Sequence, residues 1–269
     1  MLNIAIKAII SVRNYTLYCF NHAKEFSLKP DQSLVTKTDL YIEKKIREFL
    51  SIVTPNIPIL GEEFGSNNKN YFETGWVIDP IDGTRTFLYG VPLFSTLLSY
   101  IENNEPVIGV ISFPALNKII YASLGEGCWI QYGNESPIKV ELLVGSVYNI
   151  NNAVVSFSGV HSTIFDSREG KKAYNIKNVI ERAKDIVFIN DSYQHMMVLF
   201  GRINAAVDTL MKPWDIAALI PCMKETGLAY ANLHGIQKGI LWGESLITAS
   251  SQSLLEELIN ALNENIHPM

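Results

Sequence analysis

Apolar residues recur along this chain with two different periods, and the alternation between them outlines the elements. Leu2, Ile6, Ile9, Ile10 and Leu17 fall at helical spacing, which predicts an amphipathic N-terminal helix with one face turned to a core. Ile42, Ile46 and Leu50 repeat in steps of four, so a second helix is expected from Thr38-Asp39 to Leu50, stopped by Pro55 and Pro58. Short apolar strands are expected at Trp76–Ile78, Leu93–Ile101, Pro106–Phe113 and Ile119–Ser123, punctuated by Asn103-Asn104 and Gly125–Gly127. That first half reads as helices on an antiparallel-rich sheet. Beyond the polar segment at Gly133–Ser136, strands at Ala153–Phe157 and Ile186–Ile189 alternate with helical stretches at Gln194–Phe200 and Ile216–Glu225. The alternation predicts an α/β second half, with an internal boundary near residue 140. The expected halves are 1–140 and 141–269.

Composition narrows the class. At 269 residues and 48% hydrophobic content the chain has enough apolar surface for a sizeable core, which excludes a disordered protein. A net charge of -5 leaves no broad basic face for nucleic acid. Cys19, Cys128 and Cys222 are widely separated and odd in number, with no Cys-x-x-Cys pair, so neither a disulfide framework nor a zinc site is indicated and a reducing cytoplasm is the expected setting. Lys7 and Arg13 interrupt the apolar N-terminus, which reads as neither a signal peptide nor a membrane span.

One segment carries most of the chemistry: Trp76-Val77-Ile78-Asp79-Pro80-Ile81-Asp82-Gly83-Thr84. Two carboxylates stand three residues apart across a proline that fixes its own φ, so both can leave a strand end toward one point. All-oxygen donors of this kind suit magnesium, which keeps several waters and takes substrate phosphate as a further ligand. Gly83 permits backbone conformations closed to other residues, and Thr84 can begin a helix. The bland rival is an acidic surface turn before an ordinary helix. The apolar flanks Trp76–Ile78 and Val91–Tyr100 argue against it, since they bury the turn between core elements.

Further segments match. Gly61-Glu62-Glu63-Phe64-Gly65, Asp79-Pro80-Ile81-Asp82-Gly83-Thr84 and Lys212-Pro213-Trp214-Asp215-Ile216-Ala217-Ala218 together resemble the signatures of the inositol monophosphatase family, in order and at familiar spacing. Leu34-Val35-Thr36-Lys37-Thr38-Asp39, the Gly109-Val110-Ile111 to Pro114 strand and Gly201-Arg202 extend the match over nearly the whole chain. The resemblance implies a sugar-phosphatase-type fold, α+β to α/β, layered α-β-α-β-α. It also implies a magnesium-dependent phosphomonoesterase using two or three ions, and a homodimer. Glu62, Asp79, the Ile81 carbonyl, Asp82 and Asp215 would hold the ions, with Asp79 bridging two of them. Thr84 and Glu62 would orient and deprotonate the attacking water, the Gly83 and Thr84 N–H groups would hold phosphate, and Asp39 would act through water on a third ion. Lys29 could reach the same region, although Pro30 departs from the small polar residue usual there. Each has a structural rival: Glu62 or Glu63 capping a loop, Asp39 opening the second helix, Asp215 capping the Ile216 helix. His161 and His195 lack a partner at metal-binding spacing and read as core or surface residues, as Met196 and Met197 read as core. Lys171-Lys172 reads as a solvated pair.

Substrate choice rests on fewer residues. Arg85 after the turn, Asp191-Ser192-Tyr193 and the Lys212–Pro221 stretch look more like the histidinol-phosphate phosphatase branch than the inositol branch. Asp191 would pair with a substrate amine and Arg85 would brace phosphate, the rival being a structural Arg–Asp pair. Asp208 stands where inositol phosphatases place a longer glutamate that reads hydroxyls, and Glu225-Thr226-Gly227-Leu228 replaces a Gly-Gly pair. Arg85-Thr86 in place of a Lys-Glu pair argues against an adenosine bisphosphate nucleotidase. A non-catalytic metal- or phosphate-binding regulator is the remaining alternative.

Overall fold

The computed structural model describes residues 1–22, 25–29, 34–66, 73–141, 149–161, 163 and 174–264. Pro30 and Lys171-Lys172 lie outside them. In chain order the elements are α1 (Leu2–His22), β1 (Phe26–Leu28), β2 (Leu34–Thr36), α2 (Lys37–Val53), β3 (Ile59–Gly61), β4 (Gly65–Ser66), β5 (Gly75–Asp82), α3 (Thr84–Leu88), β6 (Ser95–Glu102), β7 (Glu105–Phe113), β8 (Lys118–Ser123), β9 (Gly127–Tyr132), β10 (Ile138–Lys139), β11 (Val154–Phe157), α4 (Ile176–Arg182), β12 (Asp185–Phe188), α5 (Asp191–Leu199), β13 (Ala205–Asp208), α6 (Pro213–Ala217), α7 (Leu219–Thr226), β14 (Ala229–Ala231), β15 (Leu246–Ala249) and α8 (Gln252–Asn263). Among the described residues no helix is long and apolar enough to cross a membrane.

The chain divides into two units. The first comprises Met1–Val140 and Ala217–Glu225, the second Glu141–Ile216 and Thr226–Met269. Residues 217–225 thus belong with the first unit, and neither unit is a continuous run of chain.

In the first unit the strands form one sheet in the order β10-β9-β8-β7-β6-β5-β3-β4, antiparallel except where β3 runs parallel to β5. Ala5, Ile9, Ile42 and Ile46 of α1 and α2 pack with Trp76, Ile78, Leu98 and Val110, which buries the helical faces that the spacing predicted. Residues 217–225 come against the same sheet. A Cβ on Gly109 of β7 would lie 2.1 Å from the Ala218 carbonyl oxygen, so only glycine fits. The continuous helix expected at Ile216–Glu225 is broken into α6 and α7 at Ala218. Pro221 has no N–H to return to the Ala217 carbonyl, which instead lies 3.1 Å from Ser99 Oγ. Glu225 accepts from Gly125 N at 2.8 Å and Gly127 N at 2.6 Å, clamping the turn from β8 to β9.

The second unit is a mixed sheet, β12-β11-β13-β15-β14, parallel among β12, β11 and β13 and antiparallel at β15. One core joins Ile176 and Val179 of α4 and Leu254, Leu255 and Leu258 of α8 with Val155, Phe157, Val207 and Ile247 of the sheet. On the alternate positions, α5 meets the sheet through His195, whose Nδ1 lies 2.8 Å from Thr248 Oγ1. Helices packed on an antiparallel-rich sheet in the first unit and on a mixed sheet in the second make up the α+β to α/β class expected from the sequence.

Candidate active site

The end of β5 is shaped by what Pro80 cannot do. Asp79 pairs with Leu97 and Asp82 with Ser95, so the register shifts between them, and a proline that donates no hydrogen bond sits in the resulting bulge. Thr96 Oγ1 donates to the Pro80 carbonyl at 2.9 Å and holds the irregularity in place. Strict alternation would send residues three apart to opposite faces of a strand. With the bulge, a carboxylate oxygen of Asp79 and one of Asp82 lie within 4.8 Å of each other, both residues being buried. Ser95 Oγ donates to Asp82 Oδ2 at 3.1 Å. Gly83 then turns the chain at φ +83°, a left-handed conformation natural to glycine, directly into α3. Thr84 Oγ1 donates to the Ile81 carbonyl at 3.1 Å. The strand therefore runs four residues beyond the expected end at Ile78 and delivers both carboxylates from its own last residues.

Glu62 follows β3 in the same unit, its N–H bonded to the Ile78 carbonyl of β5 at 3.2 Å. Lys29 Nζ lies 2.7 Å from Glu62 Oε1 and 2.8 Å from Glu63 Oε1. Burial raises the Glu62 carboxyl above the usual range; the Lys29 ammonium opposes that rise, and the Asp82 charge adds to it. Glu63 is pushed up to about 7, again chiefly by burial. Burial alone would lower Lys29, but its hydrogen bonds to Glu62 and Glu63 prevail and hold it above the ordinary lysine value.

Asp39 occupies the third position of α2. Its Oδ2 accepts from Thr36 N at 2.8 Å while Thr36 Oγ1 accepts from Thr38 N at 3.1 Å, a reciprocal cap of the helix. The structural rival is thus real for this residue, yet it uses only one oxygen: Oδ1 is buried without a hydrogen-bond partner. Burial raises Asp39 to about 6, with the Glu62 charge acting in the same direction. Asp39, Glu62, Asp79 and Asp82 are therefore a concentration of desolvated carboxylates, an arrangement that costs free energy unless cations compensate it. All-oxygen donors and an orphaned carboxylate oxygen fit a hard divalent ion.

In the second unit Asp215 lies within the first turn of α6, Oδ2 accepting from Lys212 N at 2.7 Å, so it ties back to the helix start from inside the helix rather than standing, as its rival reading expects, at the N-cap of a helix begun at Ile216. A carboxylate has lone pairs left after one such bond. Asp208 ends β13, buried, with Oδ1 accepting from Leu210 N at 3.2 Å. Asp191 opens α5 at φ +59°. Arg85 of the first unit is exposed on α3. His195 and Met196 are fully buried, as expected of core residues.

Two residues that matter here escaped the sequence reading: Glu43 and Arg47, which brace the Glu62 loop from α2. The available signal was an i,i+4 charge pair beside Ile42 and Ile46 on the face that had to be buried.

The model of the inositol monophosphatase family matches residues 3–267. A histidinol-phosphatase of Chlorobaculum parvum is 32% identical over 227 residues, 83% of this chain and 81% of that protein. One from Mycobacterium tuberculosis is 30% identical over 237 residues, 87% and 86% of the two chains. Among solved structures, an IMPase of Thermotoga maritima superimposes with a TM-score of 0.81 at 25% identity, covering 98% of this chain and 96% of its own. With near-complete coverage at this identity, the chain belongs to the inositol monophosphatase family and is a phosphatase of that family.

Proposed function

We propose that this protein is a magnesium-dependent phosphomonoesterase that hydrolyses a small amino-alcohol or polyol phosphate, histidinol phosphate before inositol monophosphate, to the alcohol and inorganic phosphate. The observation that carries the reading is the bulged end of β5, which brings Asp79 and Asp82 within 4.8 Å beside a strand-linked Glu62. Glu62, Asp79, the Ile81 carbonyl, Asp82 and Asp215 are the residues that would hold magnesium, and Asp39 would support it from further out. When bound, magnesium supplies neutralisation of phosphate oxygens and stabilisation of the leaving alkoxide.

The chain's own residues do the rest. The Thr84 hydroxyl donates its hydrogen bond to the Ile81 carbonyl, so its lone pairs are left to accept from a water and fix that water's orientation. Glu62, raised in basicity by burial, takes the water's proton. Gly83 and Thr84 N–H groups cradle phosphate. Asp191 reads a substrate ammonium group, Asp208 a hydroxyl, and Arg85 braces phosphate. Histidinol phosphate is put first because two relatives, 32% and 30% identical over 83% and 87% of this chain, are named for it, whereas the match to a bisphosphate nucleotidase, 36% identical, spans 42% of the chain.

Phosphate release should be measured against histidinol phosphate, inositol monophosphates, sugar phosphates and adenosine bisphosphate, with and without magnesium. Magnesium-dependent turnover greatest on histidinol phosphate is expected. Undiminished turnover in excess chelator would remove the metal reading, and no turnover on any ester would favour a binding protein.

A further inference from the structure

The loop that carries Glu62 is held from behind by a buried ion pair. Glu43 is fully buried on α2, and Arg47, one turn on, reaches it with Nε at 2.8 Å. The same carboxylate accepts two main-chain hydrogen bonds from the loop, Glu63 N to Oε2 at 2.7 Å and Phe64 N to Oε1 at 3.2 Å. Arg47 extends the hold to the carbonyls of Ile59, at 3.4 Å, and Gly65, and its guanidinium lies 6.0 Å from the Phe64 ring centroid. On the near side of Glu62 the approach is closer still: a Cβ on Gly61 would fall 2.0 Å from Glu43 Oε1. The backbone is thus fixed immediately before and after Glu62, while Glu62 N itself is tied to β5.

A buried ion pair is a poor device for stability, because desolvating both charges offsets most of their attraction. What this one determines is geometry, since two backbone N–H groups and a glycine constrain the loop only in one position. We propose that Glu43 is a positioning residue that sets the Glu62 carboxylate for metal binding. This rests on the reading of Glu62 as a magnesium ligand. Residues supporting metal ligands in this way typically change affinity by about 10- to 100-fold when replaced.

Glu43→Gln keeps size and burial but turns one acceptor oxygen into a donor. Magnesium titration calorimetry on the full chain should show affinity about tenfold weaker or more, with turnover recovering at saturating magnesium. In the metal-free protein, exchange of the Glu63 and Phe64 amides should quicken about tenfold while the α1 and sheet amides keep wild-type protection. Gly61→Ala, with Glu43 intact, should reproduce both effects by displacing the carboxylate. Combined with Glu43→Ala it should add nothing further, because the new methyl then occupies vacated space. Wild-type magnesium affinity in Glu43→Gln, or additive losses in the pair, would overturn the proposal. If wild-type protein binds no magnesium, the reading of Glu62 fails and takes this inference with it; normal wild-type binding with an unaffected variant condemns the positioning role alone.

Discussion

Thr84 Oγ1 donates to the carbonyl of Ile81, three residues back around the Gly83 turn, at 3.1 Å. One hydroxyl proton is thereby committed, and the direction in which Thr84 can accept is set by the backbone. Thr84→Val preserves shape and removes the acceptor, and kcat is expected to fall about 10²-fold or more with magnesium affinity held. Thr84→Ser, which restores the hydroxyl, should recover most of the loss. Valine at wild-type kcat would show that this hydroxyl orients nothing.

Asp79→Asn is expected to abolish turnover, because both charge and ligand count would become wrong at the carboxylate proposed to hold magnesium. Without metal its thermal midpoint should match or exceed that of wild type, since a buried charge leaves a crowd of carboxylates. Calcium should inhibit wild type, preferring larger and looser coordination. Turnover assays with magnesium and with calcium check the first and last, and thermal melts in chelator check the second.

Asp191 sits at φ +59°, where asparagine is among the few residues comfortable, so Asp191→Asn tests charge without disturbing the backbone. Loss of a charge-assisted bond of roughly 1.5–3 kcal/mol should reduce kcat/KM on histidinol phosphate about ten- to a hundredfold. Glycerol phosphate, which has no ammonium group, should be spared. Equal losses on both esters would sink the amine-reading role.

His195 gives the second unit an acid limit. Burial lowers it to about 3, whereas an unfolded histidine titrates near 6.5. Between those values the unfolded chain binds the extra proton, so this contribution to stability is complete above pH 6.5 and declines as pH falls toward 3. His195→Gln should narrow the difference in thermal midpoint between pH 7 and pH 5 by several degrees. An unchanged difference would place acid sensitivity elsewhere.

Legibility followed signal strength. The α1 and α2 spacings, the Asp79–Thr84 segment and the strands from β6 to β8 were readable because long apolar periods or special residues mark them. β5 was expected to stop at Ile78, since Pro80 and Asp82-Gly83 carry the chemistry of a turn; a bulge held by Thr96 lets the strand absorb the proline instead. β13, β14 and β15 are three or four residues long and partly built from alanine, leaving too little period to detect. α8 was overlooked despite its Ser251 cap and buried Leu254, Leu258 and Leu262. Glu43 was hidden for a different reason: a charge on a buried helical face makes sense only once its main-chain donors, far along the chain, are known.

The interrupted first unit constrains how the protein is made. A nascent chain that has emerged as far as Val140 possesses every strand of that sheet, but the notch at Gly109 lacks the Ala218 carbonyl and the Gly125–Gly127 turn lacks the Glu225 carboxylate. Those partners leave the ribosome only after most of the second unit has been synthesised. The contacts of Gly109, Gly125 and Gly127 with residues 217–225 therefore form only after residue 225 has emerged, so the first unit is completed well after its own strands have been made.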